Sequence, residues 1–246
     1  MNEVQRARLA GMDEALAEKV KAARGLPVFR RLVARYGRAD YWEGRHRRAL
    51  QGEGGYEGDR HEEWYFGWEE LGPVLDGLVD GSRKKGMRVM NVGCGTGKMA
   101  EALAVSGFGN VVHTDVSPSC VELMKEVYGG KLEGHAFEVD DATQMRYASE
   151  EFDVVLDKGT LDALHCAGDA PCLAMVSEVQ RVLKPGGKYV IVSQSFKRSY
   201  FNVDDGRGAD GPGPPWTSLD VIHAGTVSNG ECIAKGRQVL VICAVK

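Results

Sequence analysis

No stretch of the chain approaches the roughly 18 consecutive apolar residues that a bilayer span requires. The opening MNEVQRARLAGMDE carries acids where a secretory leader would place its apolar core. The expectation is a soluble, unexported chain with no membrane partner. The six cysteines, Cys94, Cys120, Cys166, Cys172, Cys232 and Cys243, contain no Cys-x-x-Cys and no zinc-like pairing with the six histidines. A disulfide scaffold is thereby excluded, a reducing compartment fits, and no metal is expected. His165, Cys166 and Cys172 lack the second ligand pair that a structural zinc needs. A surplus of positive charge is also missing, since the net charge is −4, so nucleic acid is not an expected partner.

What remains is an ordinary globular composition, 43% hydrophobic and 27% charged over 246 residues, enough for one α/β domain with a sizeable core. Glycine is the one excess, at 32 residues. Residues 19 to 48 hold ten Lys and Arg against Asp40 and Glu43. This reads as a solvated helical face, with contact to an acidic partner as the alternative. Leu9, Met12, Leu16 and Val20, then Phe29, Leu32, Val33 and Tyr36, fall at helical spacing. Residues 1–36 are read as an N-terminal helical extension and 37–246 as the main domain.

From residue 88 short β-branched runs alternate with helical stretches, the pattern of βα units around a parallel sheet. Strands are predicted over Arg88–Val92, Val111–Asp115, His135–Val139, Phe152–Asp157, Lys188–Ser193, Ser218–His223 and Val239–Val245. Helices are predicted over Trp64–Val79, Lys98–Val105, Ser117–Tyr128 and Pro171–Leu183. The polar stretch 224–237 leaves no room for a helix, so the last two strands pair as an antiparallel hairpin. The fold class is a Rossmann-like, seven-stranded, mostly parallel sheet with that hairpin, helices on both faces and extra N-terminal helices. Residues 200–216, YFNVDDGRGADGPGPPW, are too rich in Gly, Pro and Asp for regular structure and read as a functional or mobile loop.

Asn91-Val92-Gly93-Cys94-Gly95-Thr96-Gly97 joins the first strand to a helix, where glycines let the backbone turn sharply and approach a ligand. A P-loop fails, because Val92 and Met99 stand where Gly and Ser/Thr belong. A dinucleotide fingerprint fails too, because Lys98 occupies the place of its last glycine. The Gly-x-Gly-x-Gly spacing instead suits S-adenosylmethionine, with Gly93 and Gly95 beneath its amino-acid part. Asp115, ending the second strand, offers two acceptor oxygens to ribose hydroxyls; its alternative is a turn or helix cap. Asp140, Asp141 and Ala142, after the third strand, offer an acceptor and an N–H to adenine.

The fourth strand runs into Asp157-Lys158-Gly159-Thr160-Leu161-Asp162, a carboxylate and an ammonium beside the expected methyl group. The segment FDVVLDKGTLDAL (Phe152–Leu164) closely resembles the class I, seven-strand methyltransferases of the subgroup that includes lysine methyltransferases of translation elongation factor 1-alpha and mitochondrial citrate synthase. Upstream, Tyr41-Trp42-Glu43-Gly44-Arg45-His46 resembles that subgroup's Tyr-Trp-acid-x-Arg-Tyr segment, and Glu63-Trp64-Tyr65 its acid-Trp-aromatic motif. The resemblance spans residues 40 to 246. It implies cofactor contacts from Trp42, His46, Trp64, Val116 and Lys158 beside Gly93, Asp115, Asp141 and Ala142, with Arg45 as partner of the cofactor carboxylate. Core or lid packing is the alternative for Trp42 and Trp64. His46 departs from the subgroup's Tyr, Gly-Cys-Gly-Thr-Gly departs from its Gly-Cys-Gly-Asn-Ser, and the 200–216 segment has no counterpart.

The expected function is methyl transfer from S-adenosylmethionine, leaving S-adenosylhomocysteine, to a lysine of a protein, with elongation factor 1-alpha the target class that the resemblance implies. A small-molecule N- or O-methyltransferase and a non-catalytic regulatory module are the alternatives. Asp157 is the expected catalytic carboxylate, orienting the acceptor amine. Asp162 has two open roles, catalysis or favouring a helix N-terminus. In the 200–216 loop Asp204, Asp205, Asp210 and Arg207, flanked by Tyr200, Phe201 and Trp216, suggest an open edge for docking a protein. The expected location is cytoplasmic, with the mitochondrion as alternative.

Overall fold

A computed structural model describes residues 34–52, 63–194, 196–203, 212–226 and 238–246. The helical spacing read over residues 9 to 33 and the acids of the 204–211 stretch lie outside them. A 3-10 turn at Arg35–Gly37 leads into helix α1 (Ala39–Leu50), followed by α2 (Trp68–Leu78), β1 (Val89–Val92), α3 (Met99–Val105) and β2 (Val111–Asp115). Then come α4 (Pro118–Tyr128), β3 (His135–Val139), β4 (Phe152–Lys158), α5 (Thr160–His165), α6 (Asp169–Val182) and β5 (Leu183–Ser193). Two short strands, β6 (Asn202–Val203) and β7 (Pro215–Trp216), precede β8 (Ser218–Thr226) and β9 (Gln238–Val245).

Seven strands form one sheet in the order β3-β2-β1-β4-β5-β9-β8. The first five are parallel, and β9 runs antiparallel between β5 and β8. Every residue of β1 and β2 is buried, as a parallel strand covered on both faces requires. Alternation sorts the core. Val155, Tyr189, Ile191 and Ile242 pack with α6 on one face, while Val154, Leu156, Val190 and Val241 pack with α2 and α3 on the other. The strand order reverses between β1 and β4, so the crevice for a ligand opens at their carboxyl ends.

The sheet, its hairpin and the helices on both faces agree with the sequence reading; three details differ. Helix α2 begins at Trp68 rather than Trp64, because Tyr65 sits at φ 63, a left-handed conformation no helix tolerates, and Gly67 is the N-cap. Strand β5 begins at Leu183, five residues before the predicted Lys188, and pairs there with Phe152 across a register shift. The 200–216 segment is not irregular throughout. Its ends pair as β6 and β7, Phe201 and Trp216 are buried against Tyr189, and Tyr200 is buried beside His165, so these aromatics do not form an open docking edge. Hydrophobic burial of three large rings outweighs the loop-forming composition around them.

A polar chain crosses the buried sheet. Asn91 Nδ2 donates to His113 Nδ1 (3.1 Å), His113 pairs through Nε2 with His135 Nδ1 (3.0 Å), and His135 Nε2 meets the Phe108 carbonyl (2.8 Å). That carbonyl can only accept, which fixes both tautomers: each imidazole donates from Nε2 and accepts at Nδ1. Burial, reinforced by His135, pushes His113 down to about 3. The unfolded chain takes up this proton below about 6.5 whereas the native state refuses it. The contribution is therefore constant above pH 6.5 and is lost as pH falls toward 3. Between pH 7 and pH 4.5, urea unfolding should show wild type losing about 2–3 kcal/mol more than His113→Val, whose starting stability is lower but whose slope is shallower.

Candidate active site

The carboxyl ends of β1 to β4 surround a cavity of about 1180 Å³. Gly93 and Gly95 turn the chain there at φ +60 and +54. A Cβ on Gly93 would overlap the side chain of Thr160, whose hydroxyl donates to the Val92 carbonyl (3.0 Å), so only glycine lets α5 close against the turn. Asp115 is buried at the rim, with Oδ2 accepting the Gly95 N–H (3.0 Å) and Oδ1 the Ser117 N–H (2.9 Å). These bonds fix the carboxylate and leave one acceptor direction on each oxygen for a vicinal diol. Val116, Asp141 and Ala142 also line the cavity. Asp141 spends one oxygen on the Thr143 N–H (2.8 Å) and hydroxyl (2.7 Å). Asp140, beside it, has a buried Oδ2 with no hydrogen-bond partner among the described residues. An exocyclic amine supplies the missing donor, so the residues present fit an adenine at this end and a ribose at Asp115.

Over the mouth lies a layer of rings. Trp42 stacks near His46 (5.9 Å between centroids) and meets Trp64 edge-on (6.0 Å), while its Nε1 donates to the Tyr36 carbonyl (2.7 Å). All three rings line the cavity. Helix α1, which carries two of them, falls largely within the stretch read as a solvated helical face, yet it packs over the cavity. Its buried side is made of His46 and a carboxylate rather than an aliphatic stripe, so periodicity is silent. The carboxylate is Glu43, which accepts from the Ser117 hydroxyl (2.8 Å), the Ser119 N–H (3.1 Å), the Ser119 hydroxyl (2.8 Å) and Arg47 (2.8 Å). Burial opposes its charge, but the hydrogen bonds from Ser119, Arg47 and Ser117 outweigh it and hold the carboxyl at about 2. The motif carries Glu43 without a role; its signal in the sequence is the Ser117-Pro118-Ser119 N-terminus, whose donors call for an acid.

Two residues expected at the cofactor are engaged elsewhere. Arg45 is not among the residues lining the cavity and donates to the Tyr41 hydroxyl (3.3 Å). Lys158 lines the cavity, but its ammonium grips the Glu63 carboxylate and the Trp64 carbonyl (3.0 Å), clamping the aromatic strap. Burial pushes Lys158 down to about 7, and the carboxylate against it opposes that loss of charge.

Of the two acids of β4 and α5, the expected catalytic Asp157 does not reach the cavity, and Asp162, whose role was open, does. Asp157 is fully buried behind the wall, accepting the Thr160 N–H (2.8 Å), the Leu161 N–H (3.2 Å) and the Tyr189 hydroxyl (2.9 Å). Burial raises its carboxyl to about 7 against those bonds. It caps α5 and does not reach the cavity. Asp162 does, held by the Ser193 hydroxyl (2.5 Å), the Gln194 N–H (2.9 Å) and the hydroxyl of Tyr65 (2.5 Å). Tyr65, the aromatic of the Glu63-Trp64-Tyr65 motif, and Gln194, which carried no motif signal, both belong to the wall. Among the described residues, His46, Asp115 and Cys120 are the one group with potential metal-ligand atoms within 4.8 Å of one another, yet both Asp115 oxygens already accept N–H groups.

Residues 83–205 match the family described as methyltransferase domain. The chain belongs to that family. This methyltransferase domain is 35% identical over 162 residues to the eEF1A lysine and N-terminal methyltransferase of Mus musculus, covering 64% of the chain and 22% of that protein, and 34% identical over 162 residues to its Homo sapiens counterpart. It thus spans about a fifth of the length of those relatives. Methyltransferase srdJ of Neurospora crassa is 29% identical over 154 residues, 58% of this chain and 64% of that protein. The fold is shared with the YcgJ protein of Bacillus subtilis (TM-score 0.53, 15% identity, 73% of this chain and 99% of that one). It is shared also with a SAM-dependent methyltransferase of Methanosarcina mazei (TM-score 0.52, 17% identity, 71% and 97%). S-adenosylmethionine is the cofactor of this methyltransferase domain.

Calorimetric titration with S-adenosylhomocysteine separates these roles. Asp115→Ala should weaken binding about 100-fold, from two lost charge-assisted hydrogen bonds. Glu43→Gln should weaken it about tenfold by loosening α1, whereas Asp157→Asn should lower the melting temperature and change affinity little.

Proposed function

We propose that this domain methylates a lysine amine of a protein, with an elongation factor 1-alpha as the first target to test. The observation that carries the reading is Asp162. Strand order puts the adenine end after β3 and Asp162 with Gln194 after β4 and β5, so a fixed carboxylate lines the cavity across β2 and β1 from Asp140. A carboxylate beside the Tyr65 and Trp64 rings suits a cationic amine, attracted by charge and by ring faces. The names of the mouse and human relatives support the target class.

Bound S-adenosylmethionine supplies a methyl group on a sulfonium, an electrophile whose leaving group is a neutral thioether. The protein's work is alignment and exclusion of water. Asp115 and Asp140 fix the donor's nucleoside end, the Gly93–Gly97 turn receives its amino-acid end, and Trp42 and Trp64 cover it. Asp162 accepts a hydrogen bond from the amine and aims its lone pair inward, while Ser193, Gln194 and Tyr65 keep that carboxylate from turning away.

The purified protein, incubated with radiolabelled S-adenosylmethionine and either a cell lysate or recombinant elongation factor 1-alpha, should give one labelled protein band that Asp115→Ala abolishes. Asp162→Asn should lower turnover about 100-fold with affinity for S-adenosylhomocysteine kept within twofold. Cofactor binding with no labelled protein would transfer the acceptor to a small molecule.

A further inference from the structure

At the acceptor end of the cavity stands a histidine that the reading above does not use. His165 lies one turn beyond Asp162 on α5, three residues on and therefore on the same helix side, and both line the cavity. Its Nδ1 is 2.7 Å from the Tyr200 hydroxyl, and that hydroxyl donates to Asp169 Oδ1 at 2.6 Å. Asp169 also accepts from Lys197 at 2.9 Å. Hydrogen bonds from Lys197 and Tyr200 hold the Asp169 carboxyl below its usual range, so it is a carboxylate and can only accept. Tyr200 has one proton and spends it on Asp169, which obliges His165 Nδ1 to donate. The neutral ring thus carries its hydrogen on Nδ1 and its lone pair on Nε2, the atom left for the cavity.

We propose that His165 is the proton acceptor for the incoming amine, with Tyr200 and Asp169 as positioning residues that fix its tautomer. This rests on the amine-acceptor reading of the site. In the step the ammonium N–H bond breaks and its proton goes to Nε2. The freed nitrogen lone pair forms the new N–C bond as the C–S bond breaks, its electron pair passing to sulfur. The imidazolium then returns its proton to water. Asp169, whose Oδ1 lies 3.7 Å from Nδ1, stabilises the imidazolium through space and through the Tyr200 hydroxyl. The titratable and charged groups on the elements packed around the ring are Asp162 on α5 and Cys166 just after it, Asp169 and Cys172 on α6, Lys197, Arg198 and Tyr200 after β5, and Arg35 and Tyr36 in the turn before α1. An amine that sheds its proton to solvent makes turnover rise about tenfold per pH unit below the amine's own pKa. A base on the enzyme makes that rise shallower.

The first test needs no acceptor. With nitrogen-15 histidine in the S-adenosylhomocysteine complex at pH 7.5, His165, assigned by its loss in His165→Asn, should give the signature of the Nδ1–H tautomer. Tyr200→Phe should convert it to the Nε2–H form that free imidazole prefers. An Nε2–H ring in the wild type overturns the proposal whether or not a substrate is known. With the labelled acceptor protein, His165→Asn should lower kcat about 100-fold at pH 7.5 with affinity for S-adenosylhomocysteine unchanged, and the deficit should shrink toward pH 9.5. An unchanged kcat, or a deficit equal at both pH values, also overturns it. Failure to label any protein with the wild type counts against the lysine reading, while the tautomer measurement still decides the geometry of His165.

Discussion

The grip of Glu43 on the N-terminus of α4 is the interaction on which the site depends. The Rossmann-like sheet supplies the turn, the ribose acid and the adenine end, but it leaves them open on one side. What covers them is a helix from outside the sheet, held by one carboxylate that collects four donors from Ser117, Ser119 and Arg47. Charge-assisted bonds into a helix N-terminus are among the stronger polar contacts available. Because Ser117 also donates its backbone N–H to Asp115, the helix that closes the cavity and the acid that binds in it share one anchor.

The arrangement divides labour among carboxylates according to burial. Asp157, sealed behind the wall and satisfied by two backbone N–H groups and Tyr189, sets the direction of α5. Asp162, three donors around it and one side facing the cavity, is the group available to a substrate. Lys158 and Glu63 form a clamp for the aromatic strap, so their charges cancel where a bound sulfonium would otherwise feel a bare ammonium.

The central strands were legible because parallel strands buried on both faces are written as short β-branched runs, as in β2; the edge strand β3, with only Phe137 buried, also falls on the residues expected. Asp115 was legible from its place at the end of β2. The roles of Asp157 and Asp162 were not, since two acids five residues apart across a strand-to-helix turn differ only in which side of the turn faces the core. The anchoring of α1 was hidden for a related reason, because its packing rests on hydrogen bonds and rings rather than on an aliphatic face. Tyr200, Phe201 and Trp216 were misread because composition describes the neighbours of a residue, whereas burial follows the residue's own apolar area.

The position of β9 has a consequence for how the chain reaches this state. Drawn from residues 238–245, it lies between β5 and β8 rather than at an edge, and every one of its sheet partners precedes it. Until it arrives, β5 presents an unpaired edge and β8 has no neighbour in the sheet, although the cofactor-binding turn and Asp115 are already made. Nascent chains at that stage expose an apolar strand edge of the kind that chaperones shield and that recruits other chains. The sheet is therefore complete only once residues 238–245 have been made, and a chain that stops before residue 238 has its ligand turn encoded and its sheet unfinished.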